Sequence, residues 1–132
     1  METGKLNIIS FGYKYGFPEK ANVLFDVRFL PNPYYIEELK EMSGNDRAVA
    51  EYVMSFSESR EFVDKLEDMI FFIEEYYRRK EKREFTLAIG CTGGRHRSVT
   101  VANEIYRRLK EHAGWEVCIC HRDLDRDKIR KE

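Results

Sequence analysis

"FTLAIGCTGGRHRSV", residues 85–99, joins the most apolar short run of the chain to a glycine turn and then to a cationic, hydroxyl-bearing segment. Leu87 to Ile89 are continuously apolar, the pattern of a strand covered on both faces. Past the turn, Val99, Ala102, Tyr106 and Leu109 recur at steps of three and four, which predicts a helix. A strand, a glycine turn and a helix start together make a seat for an anion, because the first amides of a helix have no intrahelical acceptor. Gly93 and Gly94 let the backbone curve around such a group. Thr92 and Ser98 offer hydroxyls, Arg95 and Arg97 offer charge-assisted contacts, and His96 adds a donor when protonated.

Working outward, "NIISFGYKYG" (residues 7–16) predicts a first strand over Leu6–Phe11 that breaks at a glycine-flanked loop. "NVLFDVRFLPNP" (22–33) predicts a second strand, Val23–Phe29, stopped by Pro31 and Pro33. Pro33 suits the first turn of a short helix through "YYIEELKEM", closed by Gly44. Asn45 or Asp46 is then placed to cap a helix through "RAVAEYVM". The longest helix is expected over Glu58–Lys82, with Phe62, Leu66, Met69, Ile70, Ile73 and Tyr77 as its apolar face. "WEVCICHRDL" (115–124) predicts a last strand, and a charged tail follows. Strands separated by helices indicate an α/β fold, a mostly parallel sheet sandwiched by helices, in one domain over residues 1–132.

Composition narrows the function classes. With 42% hydrophobic and 14% aromatic residues the chain can build a core. No apolar run approaches the ~18 residues of a membrane span, and no signal peptide is visible, so a cytoplasmic location without a membrane partner is expected. Net charge is −1, unevenly spread: residues 1–75 carry 8 Lys+Arg against 15 Asp+Glu, and residues 76–132 carry 15 against 9. The basic half holds the glycine loop, which suits an anionic partner. Cys118 and Cys120 beside His121 form C-x-C-H, a weak zinc signal without a second pair, and are expected as reduced core cysteines. Neither a metal nor a cofactor is expected.

Two chemistries fit the loop. Cys91 to Arg97 match C-x-x-x-x-x-R followed by Ser98, the cradle of cysteine-dependent phosphatases. There the thiolate attacks phosphorus and an aspartate serves as general acid. Such enzymes usually carry a histidine before the cysteine, where this chain has Gly90; Asp26, Asp46, Asp123 and Asp125 are the available acids. The other chemistry is binding alone, with no catalytic residue.

"SFGYKYG" (10–16), "FDVRFLPNP" (25–33), "AIGCTGGRHRSV" (88–99) and "HRDL" (121–124), in this order, resemble the C-terminal domain of the RapZ/YvcJ family of bacterial RNase adapter and nucleotide-binding proteins. The resemblance implies a phosphofructokinase-like α/β domain that binds RNA and senses glucosamine-6-phosphate. It implies that Thr92, Gly93, Gly94, Arg95, His96 and Arg97 hold the sugar phosphate, with Asp26, Arg28 and Asn32 near the amine and hydroxyls. A small regulatory RNA and an endoribonuclease are the implied macromolecular partners, and a homo-oligomer is expected. Two departures stand out. Tyr34 stands where members of the best-studied branch have a histidine. The tail "HRDLDRDKIRKE" (121–132) interleaves five basic with four acidic residues, where the family tail is nearly free of acids. Its Arg122, Arg126, Lys128, Arg130 and Lys131, together with Lys14, are the expected RNA contacts. Full-length members also carry a G-x-x-x-x-G-K-[ST] domain, a motif this chain does not contain.

Overall fold

A computed structural model of the protein describes residues 4–111 and 114–126. Four strands, β1 (Gly4–Gly12), β2 (Val23–Asp26), β3 (Glu84–Cys91) and β4 (Trp115–His121), form one sheet in the order β2-β3-β1-β4. Every pairing is parallel. Parallel neighbours need long crossovers, and the chain supplies them as α1 (Arg47–Met54) and α2 (Ser57–Arg79) between β2 and β3, and α3 (Arg97–Leu109) between β3 and β4. The architecture is therefore α/β with an all-parallel sheet flanked by helices.

The core lies where the strands meet these helices. Leu6 and Ile8 of β1 and Phe85, Leu87 and Ile89 of β3 pack with Val101, Ala102 and Ile105 of α3 and Val63, Leu66 and Ile70 of α2. Burial of one such side chain stabilises the fold by about 1.5–3 kcal/mol. Because the strands are parallel, their carboxyl ends share one edge: Gly12 pairs with Cys91, Asp26 with Gly90, and Ser10 with His121. That edge is where open parallel sheets place ligands.

Four expectations change in detail. The second strand stops at Asp26 rather than Phe29, because the Asp26 carboxylate accepts from Arg28 N–H and Leu30 N–H turns back to Val27 O. The segment after Pro33 is a 3₁₀ turn, Pro33–Tyr35, followed by further turns instead of a regular helix. Past this turn, Lys40 O faces the His96 side chain and Glu41 O accepts from the Arg95 side chain. The buried face of α2 runs through Ser59, Val63, Leu66, Ile70 and Glu74, and Met69 is exposed. Finally, Cys118 and Cys120 pair with Asn7 and Ile9, residues that alternate with the core-facing Leu6 and Ile8, so Cys118 is only half-buried and Cys120 is exposed.

Candidate anion-binding site

β3 ends at Cys91 and α3 begins at Arg97, so residues 92–96 form a five-residue turn at the carboxyl edge of the sheet. Two features shape it. Gly94 has φ +76°, a left-handed conformation that suits glycine, and a Cβ there would lie 2.6 Å from Gly12 N. The Gly12 N–H is itself held by the buried Asp123 carboxylate at 2.8 Å, which fixes the end of β1 behind the turn. The first turn of α3 has no side-chain cap. Its Ser98 N–H donates to Cys91 Sγ at 3.4 Å, and the Cys91 thiol donates to Ser98 Oγ at 3.2 Å.

The loop forms one wall of a cavity of about 460 Å³. Thr92, Gly93, Arg95, His96, Arg97 and Cys91 come from the turn; Asn32, Tyr34, Tyr35 and Lys40 come from the segment after β2; Lys14 comes from the loop after β1. Four full cations line this space and no carboxylate does. Arg95 and Arg97 are each only 6% exposed. Arg97 Nη1 donates to Arg28 O at 2.7 Å and Leu30 O at 3.2 Å, and Arg95 Nη2 donates to Glu41 O. Yet the Nε of both arginines is buried without a hydrogen-bond partner. A buried donor left unpaired costs about 1–3 kcal/mol, more when charged. Arg97 also stands at the positive end of the α3 dipole, where a cation is disfavoured. An anion in the cavity balances the charge of both guanidinium groups and offsets the unfavourable dipole at Arg97.

The remaining sequence-derived residues fall into three groups. Gly94 and Ser98 shape the turn from behind rather than lining the cavity. Asp26 and Arg28 pair with each other at 2.7 Å beside it, Arg28 lying over the Tyr13 ring at 4.1 Å. The hydrogen bond from Arg28 holds the Asp26 carboxyl below its usual range, and the charge of Arg97 acts in the same direction. Arg122 is committed within the fold, donating to both oxygens of Asp123 and to the carbonyls of Tyr15 and Gly16. Arg126 reaches Asp123 at 3.3 Å and is more than half exposed. Lys128, Arg130 and Lys131 lie outside the described residues. Sequence reasoning did not assign Tyr34, Tyr35 or Lys40 to the cavity; the one available signal was their place immediately after the Pro31–Pro33 break.

The thiol has little to work with. None of Asp26, Asp46, Asp123 and Asp125 lines the cavity, and Asp123 is fully buried in its own bonds. A histidine before the cysteine has no room, since a Cβ at position 90 would meet the Phe11 ring at 2.3 Å. Among the described residues no cluster of His, Cys, Asp or Glu can hold a metal.

Fold and site define a class: a parallel α/β domain with an acid-free cationic cradle at the carboxyl edge of its sheet. The chain belongs to the RapZ C-terminal domain family, which matches residues 4–125. It is 54% identical over 128 residues to a nucleotide-binding protein of Clostridium kluyveri, an alignment that covers 96% of this chain and 43% of that protein. A nucleotide-binding protein of Thermoanaerobacter sp. is 56% identical over 119 residues, 90% of this chain and 42% of the relative. One from Agathobacter rectalis is 49% identical over 125 residues, 95% of this chain and 43% of the relative. The chain thus spans about two fifths of the length of the relatives it matches. It is a RapZ-like regulatory domain. Among the described residues no helix is long and apolar enough to cross a membrane.

Proposed function

We propose that this domain senses a phosphorylated amino sugar of the glucosamine-6-phosphate kind and binds RNA as a cytoplasmic, homo-oligomeric adaptor. The observation that carries the ligand half is the pair of largely buried arginines, Arg95 and Arg97, in the wall of a cavity that no carboxylate lines. The phosphate takes the loop at residues 92–97. The sugar lies toward Asn32, and its amine is directed to the Asp26 carboxylate, which stays ionised beside Arg28.

RNA binding rests on family membership and on the positive half of the chain. Arg126, Lys14 and the tail residues Lys128, Arg130 and Lys131 supply the phosphate contacts, while Arg122 holds Asp123. A small regulatory RNA and an endoribonuclease are the partners of this reading. Its test is filter binding of a structured RNA across a salt series. Affinity falls steeply with salt, and neutralising Arg126, Lys128 and Arg130 together flattens the slope by about 2–3. Binding that ignores salt, or none at low salt, removes the RNA half and leaves the sensor.

A further inference from the structure

The phosphate loop accounts for only one wall of the cavity. At about 460 Å³ it has room for roughly fifteen waters at ~30 Å³ each, several times what a phosphate group fills. Part of the remaining wall is aromatic. Tyr34 and Tyr35 sit on the 3₁₀ turn Pro33–Tyr35, whose start is fixed by Asn32 Oδ1 accepting from Tyr34 N–H at 3.1 Å and by the buried Pro33. The two rings meet edge to face at 5.7 Å, and the Lys40 ammonium lies over Tyr34 at 4.9 Å. Tyr35 is 79% exposed, although it lines the cavity. A large ring left this open beside a cationic cradle offers a stacking platform, because planar bases stack on such rings with little regard to sequence.

Resting on the reading of residues 92–97 as a phosphate cradle, we infer that the cavity also accepts a 5′-phosphorylated nucleotide. Its phosphate meets Arg95 and Arg97, and its base stacks on Tyr35. The same chemistry is offered by a free mononucleotide and by the 5′-phosphorylated end of an RNA. Lys14 and Lys40, both on the cavity wall, suit the extra phosphate of a second nucleotide.

The test is calorimetric titration of the whole chain with inorganic phosphate, adenosine 5′-monophosphate, the 5′-phosphorylated dinucleotide pApA and its unphosphorylated counterpart ApA. The mononucleotide should bind about tenfold more tightly than inorganic phosphate, from the stacking of one base. Tyr35→Ala should erase that margin and leave inorganic phosphate unchanged, which a folding defect would not do. ApA should bind far more weakly than pApA. A pApA that exceeds the mononucleotide identifies an RNA end as the source; equal affinities identify the free nucleotide. If inorganic phosphate binds and the mononucleotide binds no better, the stacking inference is overturned while the cradle stands. If neither binds, the cradle reading falls first and takes this inference with it.

Discussion

Arg97 and Arg108 stand at opposite ends of the same helix, α3, and are satisfied in opposite ways. Arg108 is 22% exposed and meets three carboxylates, Asp64 at 2.8 Å, Glu67 at 3.0 Å and Glu104 at 3.1 Å. The hydrogen bond it donates to Asp64 leads the effects that raise its pKa above the ordinary arginine value. It also lies in the last turn, where the helix dipole favours a cation. Arg97 is more deeply buried, at the end where the dipole opposes it, and has only backbone carbonyls for acceptors. One arginine is balanced by its own protein and ties α3 to α2. The other is left with a charge that an incoming group must balance. A buried cation without its anion is how a binding site differs from a structural ion network.

The comparison can be broken most forcefully at Arg97. Arg97→Ala removes a charge-assisted fork and should lower affinity for a phosphate ligand by about 100-fold or more, measured by calorimetry. Arg108→Ala should do the reverse: a loss of about 1–3 kcal/mol in urea unfolding, with phosphate affinity unchanged. Equal losses of affinity in both variants would dissolve the distinction.

A finer effect belongs to His121, at the end of β4. Its Nδ1 lies 2.6 Å from Ser10 Oγ and its Nε2 3.0 Å from Asn103 Oδ1, contacts that a neutral ring satisfies by accepting at Nδ1 and donating at Nε2. Burial lowers its pKa below the ordinary histidine value. The unfolded chain therefore binds a proton more readily than the native one. This stability is fully present above about pH 6.5 and is lost as pH falls toward the depressed native value. Urea midpoints at pH 7.5 and 5.5 should diverge in the native protein and converge in His121→Gln.

The smallest effect is expected at Cys91. Its thiol is occupied with Ser98 and has no acid beside it, so Cys91→Ser should leave phosphate affinity within about twofold. A large loss would return the thiol to the centre of the chemistry.

Much of this was readable from residues. The strand and helix around residues 85–109 follow from an apolar run, a double glycine and a three–four repeat, and they appear as β3 and α3 with the turn between them. The α2 face is as expected at Leu66 and Ile70, with Phe62, Ile73 and Tyr77 packed against the core, and it departs at Met69, which satisfies the same periodicity but is exposed. Val63 and Ile70 face the core, while Met69 and Phe72 are exposed. The segment after Pro33 was illegible for a different reason. Its helical composition gives successive i to i+3 turns instead, Ile36 N–H to Pro33 O, Leu39 N–H to Ile36 O and Met42 N–H to Leu39 O, while Lys40 O and Glu41 O meet the side chains of His96 and Arg95. Tyr34, Tyr35 and Lys40 of the cavity wall come from that segment, so the phosphate loop was visible in the sequence and the aromatic part of the wall was not. The fate of Arg122 was equally hidden: as a tail cation it reads like an RNA contact, and only the burial of Asp123 shows what it holds.

The central claim, that the loop holds a phosphate without reacting with it, is tested most directly by calorimetric titration of this chain with glucosamine-6-phosphate, followed by an assay of free phosphate in the same cell. The account predicts saturable binding by the native protein, its loss in Arg97→Ala, and no phosphate released. An absence of saturation would contradict the cradle, and released phosphate would contradict its inertness.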